Sequence, residues 1–399
     1  MPTYTHIQFI HHTFITKPAE DPDSGKKTYL GIDPVNNDIA ARVAFVNQVL
    51  QTVKANDNVR HSGDSANTVL KVFMLPEFAF RGPTGAYSME EAMSLVEKLQ
   101  QIVKAQEWQH WLFIFGTVVC KSHAAMVPSK INILGKGFFG KAKHGKYTAI
   151  DPEAKVEIYN IAPIQKGGFQ DNPAHESAHS VMKASKAPGG SDFIWGDDIK
   201  DKKGKLTDQE VEALDPLPVP ENFSDFAAPQ NANAEEILAL KYHYIYGDSV
   251  FVQDGLTFGL EICIDFGHRH LKRLMSKAEE VLNSEEIAPK ELDVHLVTSC
   301  GANRNQPRNI AAKEGGFLAL CDGISLVNSG VKIMNDEYKN ELAKKSPNYA
   351  DVFSEAECLE STELEIESVQ INDESDSVQL SELYPYGAGK VSIYTPQEL

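Results

Sequence analysis

Gly259-Leu260-Glu261-Ile262-Cys263-Ile264-Asp265 is the stretch on which the reading of this chain turns. Ahead of it, Val250 to Phe258 alternates as a strand does, and behind it His270 to Leu282 carries apolar residues at helical spacing. Cys263 therefore falls on a strand-to-helix turn. Such a turn exposes a side chain at a sheet edge, and the free N–H groups of the helix behind it favour a thiolate and offer donors to an oxyanion. A packing role is the alternative, because cysteine is among the most buried residue types.

Two further stretches have the same form. Val69 to Glu77, VLKVFMLPE, is an apolar run closed by Pro76 and an acid whose burial would be costly without a partner. A carboxylate at a strand end is a natural general base. Asp293 to Cys300, DVHLVTSC, reads as another strand, followed by polar Gly301 to Asn305 and a helical pattern from Arg308 to Leu320. Cys300 and Cys321 also end apolar runs, but neither has glycine four residues before and aspartate two after, and both read as core.

Elsewhere strands and helices alternate. Thr5 to Phe14, Val69 to Met74, Trp111 to Val119 and 250–262 are expected as strands, with Glu363 to Glu367 as a further strand with one wet face. Asn37 to Ala55, Met89 to Gln106 and 268–282 are expected as helices. This alternation predicts layered α and β structure of the α+β class. Residues 121–155 read as a hairpin or excursion, and the loop-rich insertion at 188–229 as a lid or specificity loop.

The ordered motifs resemble the nitrilase, or carbon–nitrogen hydrolase, superfamily. The likeness rests on Leu75-Pro76-Glu77 as its "PE" strand end and Gly259 to Asp265 as its nucleophile motif, with Gly116-Thr117, Tyr159-Asn160 and Arg308 to Gly323 as landmarks. It spans roughly residues 5–335. The resemblance implies a four-layer α-β-β-α sandwich, a carbon–nitrogen hydrolase domain over 1–345, and an acidic C-terminal extension over 346–399. It implies a Glu77–Lys183–Cys263 triad, with Lys183 in HSVMKASKAP as first choice for the lysine and Lys166 and Lys186 as alternatives. A second glutamate would be Glu176, Glu235 or Glu236.

The implied activity is hydrolysis of a non-peptide carbon–nitrogen bond in a carboxamide, N-carbamoyl compound or nitrile, through a thioester on Cys263. A nucleophile, a proton carrier and a cation for the developing charge are what such chemistry requires, and the Ile264 N–H would join the lysine at the oxyanion. No cofactor or metal is implied, and the family suggests a homodimer or higher homo-oligomer. The alternative of another class is a family-shaped scaffold that has lost catalysis and engages a partner through its insertion and acidic tail.

Composition bounds these readings. With 399 residues and 42% hydrophobic content the chain can fill a sizeable core. A net charge of −18 argues against nucleic-acid binding, since phosphate contacts need a basic face. Asp351 to Glu382 carries many acids and no Lys or Arg, and reads as a solvated face or tail. No run reaches the length of a membrane span and no basic-then-apolar leader opens the chain, so a cytoplasmic location is expected. Five cysteines without C-x-x-C spacing fit a reducing compartment and no zinc site. His11-His12 and His268 with His270 lack helical chelate spacing, and Ile199 and Lys203 spoil the EF-hand likeness of residues 199–210. Arg269, just past the nucleophile turn, would suit a substrate carboxylate.

Overall fold

A computed structural model of the chain describes residues 4–20, 27–59, 68–123, 156–185, 220–325, 327–335, 352–371 and 376–399, together with Asp23, Gly25 and short strands at 126–128, 148–150 and 211–213. Lys186, the 199–210 segment and most of the 188–229 insertion lie outside these residues.

The first half builds most of an eleven-stranded mixed sheet. β1 (His6–Thr13) runs parallel to β2 (Val69–Met74), and β2 runs parallel to β3 (Trp111–Ile114). β4 (Val118–His123) follows, and β5 (Val156–Lys166) lies antiparallel to both β3 and β4, with β6 (Ala178–Met182) folded back on it. The expected strand from Trp111 to Val119 is thus two strands broken at Gly116, whose φ of 63° brings the chain against the Pro76 carbonyl. A Cβ there would stand 2.2 Å from that oxygen, so glycine is required where the two strand ends meet.

The second half builds a six-stranded sheet. β7 (Val250–Gln253) and β8 (Leu256–Ile262) form a hairpin, so the stretch expected as one strand turns at Asp254-Gly255, both at positive φ. β8 is parallel to β9 (Leu292–Ser299) and β9 to β10 (Ala312–Asp322), with β11 (Gly330–Met334) and β12 (Phe353–Glu355) antiparallel beyond. The helix expected at 308–320 is therefore strand β10. Its leucines and alanines are good helix formers, but both faces of the strand are covered and the tertiary setting prevails.

Side chains alternate between two cores as the strand period demands. Leu70, Val72 and Met74 of β2 meet Phe258, Leu260 and Ile262 of β8 in a core between the sheets. Phe73 points the other way, into α1 (Val35–Ala55) and α2 (Met89–Ile102), with Val46, Val49, Leu95 and Leu99. On the far side of the second sheet, Leu271, Leu274 and Leu282 pack with Leu292 and with Ile245 of α3 (Ala234–Tyr246). These leucines belong to the helix at His270–Ser284, and Leu271 lies 2.5 Å from where a Cβ on Gly259 would be.

Of the acidic segment after residue 345, the described residues 352–371 and 376–399 are built into this scaffold rather than left as a tail. β12 extends the second sheet, while β13 (Cys358–Glu363) and β14 (Lys390–Tyr394) return to the first, β14 pairing antiparallel with β1. The strand expected at Glu363 to Glu367 ends at Glu363, which is exposed at the sheet edge, while Glu360 of β13 is half-buried and accepts from the side chains of Asn56 and Asn58. Val369, Leu380, Leu383 and Tyr384 bury against α1. No helix of the described residues is long and apolar enough to cross a membrane.

Candidate active site

The parallel strands β2, β8 and β9 end at one place. Thr298 at the end of β9 donates its hydroxyl to the Leu75 carbonyl at 3.0 Å and accepts the Cys263 N–H on its own carbonyl at 2.9 Å. The Glu77 N–H reaches the Ser299 carbonyl at 3.2 Å. Backbone hydrogen bonds thus bring the ends of both sheets together, and with them the first two expected site residues.

Cys263 sits at φ 50° and ψ −104°, a conformation a β-carbon disfavours and one often found where a side chain must project from a tight turn. Glu77 is fully buried, and its Oε1 accepts from Lys183 Nζ at 2.9 Å and from Asn160 Nδ2 at 2.9 Å. The Cys263 sulfur lies close enough to the same carboxylate for the Glu77 charge to act on it. Of the two candidate lysines among the described residues, Lys183 is therefore the one against Glu77. Lys166, at the opposite end of β5, pairs with Asp254 of the hairpin turn at 3.0 Å and donates to the Tyr4 hydroxyl.

Lys183 is the first residue past β6, and its N–H makes a last ladder bond to the Asn160 carbonyl at 2.8 Å. Beyond it the chain leaves the sheet, and the N–H groups of Ala184 and Ser185 go to Asp265, at 2.8 Å on Oδ2 and 2.7 Å on Oδ1. Asp265 belongs to a one-turn helix, α4 (Ile264–Gly267), that starts at the nucleophile. Phe78 lies at φ 63° with its N–H on the Thr117 hydroxyl at 2.8 Å. The Phe78 ring carries the Lys183 ammonium 5.7 Å from its centroid on the way to Glu77.

The electrostatics differ from expectation in one respect. Burial first, then the Glu77 charge, hold the Cys263 thiol well above its ordinary pKa, against smaller opposing effects of Lys183 and of the Cys300 N–H on its sulfur. The resting group is a thiol rather than a thiolate. The helices do not offset these effects. α4 has a single turn, and the long helix expected to aim its N-terminus at Cys263, α5 (His270–Ser284), instead gives its Leu271 N–H to Glu261.

Cys300, expected in the core, stands beside the nucleophile with its own thiol pushed up to about 12, chiefly by burial. Cys321 is fully buried. The second-glutamate candidates are not brought in: Glu176 and Glu235 are exposed, and Glu236 accepts the Asn233 N–H to cap α3. Exposed Arg269 holds Asn309 Oδ1 at 3.1 Å, and His268 is also exposed. His11 and His12 are buried between strands, where desolvation lowers their pKa values to about 3 and about 4. Sequence reasoning used Asn160 only as a landmark, and Asp265 only as part of a motif. Their positions one residue past Tyr159 and two past Cys263 were the available signals.

No protein-family model matches the chain, and no curated protein matches it. Among solved structures, a cysteine-to-alanine mutant of the Nesterenkonia AN1 amidase from the nitrilase superfamily is 12% identical, over 80% of this chain and 78% of that one, with a TM-score of 0.32. Another mutant of that amidase, carrying the acetamide moiety of fluoroacetamide on its active-site cysteine, is 12% identical over 84% of each chain, with a TM-score of 0.33. Saccharomyces cerevisiae Nit3, a member of branch 10 of the nitrilase superfamily, is 11% identical over 84% of each chain, again at 0.33. Likeness this slight assigns no activity, and the chemistry rests on the geometry of the site itself.

Proposed function

We propose that the chain is a nitrilase-like thiol hydrolase of a non-peptide carbon–nitrogen bond in a carboxamide, N-carbamoyl compound or nitrile, on a four-layer α-β-β-α sandwich. The observation that carries the reading is the buried Glu77 carboxylate, which holds the Lys183 ammonium at 2.9 Å and whose charge acts on the nearby Cys263 thiol. A nucleophile, a base and a cation converge there, as acyl transfer requires.

For a primary amide the sulfur of Cys263 attacks the carbonyl carbon as its proton passes to Glu77. Because the thiol pKa is raised, proton transfer accompanies attack rather than preceding it. The oxyanion rests against Lys183 Nζ and the Ile264 N–H, which, as the first of α4, has no intrahelical acceptor. Glu77 then gives its proton to the amine nitrogen, the C–N bond breaks, ammonia leaves, and a thioester remains. Water deprotonated by Glu77 attacks the thioester, releasing the carboxylic acid and the Cys263 thiol.

The test is ammonia release across a panel of small carboxamides, N-carbamoyl compounds and nitriles, with intact-mass detection of the acyl-enzyme. Release and a mass adduct that both vanish in Cys263→Ala support the reading. No release and no adduct from any class would favour the catalytically inactive scaffold.

A further inference from the structure

Lys183 and Cys263 come from different sheets, yet their ammonium and sulfur must share one carboxylate. The lysine makes the last ladder bond of its strand through its own N–H, but the chain leaves the sheet directly after it and its ammonium rides on a flexible four-carbon stem, so the C-terminal side of its backbone has to be fixed by something outside the sheet. Asp265 is that contact. Its two carboxylate oxygens take the two N–H groups directly after Lys183, at 2.7 and 2.8 Å, and it lies two residues after Cys263 on the turn that sets the sulfur. With only 2% of its surface exposed, the carboxylate is held there at a desolvation cost that a merely convenient contact would not sustain.

We propose that Asp265 is a positioning residue that holds the Lys183 ammonium in register with the Cys263 sulfur, through the backbone on which Lys183 sits; this rests on the hydrolase reading above. The clamp is strongest when Asp265 is ionised, because both oxygens then accept. Protonation turns one oxygen into a donor facing an N–H. The charged groups that act on it are Glu261 from the preceding strand, which disfavours its ionised form, and Lys183, which favours it. Cys263 and Glu77 lie next in line. Burial outweighs the Ala184 N–H, the Ser185 side chain and Lys183, leaving Asp265 titrating near pH 6. Asparagine at this position reproduces the protonated state at every pH.

The experiment is the rate at which iodoacetamide alkylates Cys263, followed by intact mass from about pH 5 to pH 8 in the full chain with Cys358→Ser, which removes the exposed competing thiol. Asp265→Asn is expected to be slower than its parent by about tenfold or more at the alkaline end, since a displacement near 1 Å at a reacting centre costs up to about a hundredfold. The two rates are expected to converge below pH 6. In a Lys183→Met background Asp265→Asn is expected to have no further effect, because the two residues then act as one unit. A rate ratio that is constant with pH, or an Asp265→Asn effect that persists undiminished without Lys183, overturns the proposal. If Asp265→Asn does not fold, Asp265→Glu answers in its place with the same convergence at low pH and the same dependence on Lys183. Failure of the parent to label at Cys263 at any pH would instead strike the hydrolase reading.

Discussion

Glu261 Oε2 and His295 Nε2 lie 2.9 Å apart on neighbouring parallel strands, with neither side chain exposed. The other imidazole nitrogen, Nδ1, accepts the Ala311 N–H at 3.1 Å, which assigns the proton to Nε2 and makes it the donor to Glu261. The remaining oxygen of Glu261 takes the Leu271 N–H at the start of α5. One buried carboxylate therefore joins the strand before the nucleophile to the helix after it. Replacing His295 by alanine strips that carboxylate of a donor, and unfolding in urea is expected to show a loss of about 3 kcal/mol or more. A loss below about 1 kcal/mol would mean that water or a neighbour replaces the imidazole without cost.

Cys263 is expected to rest as a thiol at neutral pH, since its pKa is raised by burial and by Glu77. The ultraviolet difference between the parent and Cys263→Ala should then show no thiolate absorbance near pH 7.5. Glu77→Gln should slow formation of any acyl adduct by about a hundredfold or more, the usual contribution of a positioned base. Thiolate absorbance that disappears with Cys263 would reverse the order of proton transfer and attack.

Stability should carry the mark of Asp265. Burial raises its folded pKa from the ordinary 3.8 to about 6. A carboxyl whose folded pKa lies above its unfolded one lends stability at acid pH and loses it as pH climbs through the folded value. Asparagine has no such dependence, so the melting temperature of Asp265→Asn, relative to its parent, should rise between about pH 4 and pH 7.5. The gain corresponds to at most about 2–3 kcal/mol. A gap that stays level across this range would show that the two N–H groups fully compensate the buried charge.

Truncation at residue 345, the expected domain boundary, should abolish folding rather than release a tail. It removes β14 from beside β1, where Ile10 faces Ile393, and exposes the α1 surface covered by Leu380, Leu383 and Tyr384. Limited proteolysis of the parent and the truncated chain checks this. A truncated chain as resistant as the parent would show that the remaining strands close the sheet alone.

Much of the fold was legible wherever one period dominated. Val69–Met74 and Leu292–Ser299 read as strands because apolar runs ended in turn signals, and α1, α2 and α5 read as helices because their apolar residues recur on one side. What escaped was non-local. β10 has helix-forming residues but is covered on both faces, and the acidic C-terminal segment buries Val391 and Ile393 because β1 needs a partner, which no local pattern announces. The Asp254-Gly255 turn did carry a local signal, hidden inside an alternating stretch. At the site, Glu77 and Cys263 were readable from strand ends. The thiol's protonation state was not, because it depends on burial and on the Glu77 charge, which the other sheet brings to it.

The pairing of β14 with β1 also orders events in time. The strand holding Ile10 is made well before its distant partner at Ile393, so at about 5–20 residues per second an apolar sheet edge waits tens of seconds during translation for its complement. Loop closure over so large a sequence separation makes this a late step in folding. Until it occurs the nascent chain presents an open β-edge, which makes crowding by neighbouring copies, rather than weakness of the finished structure, the hazard to its production.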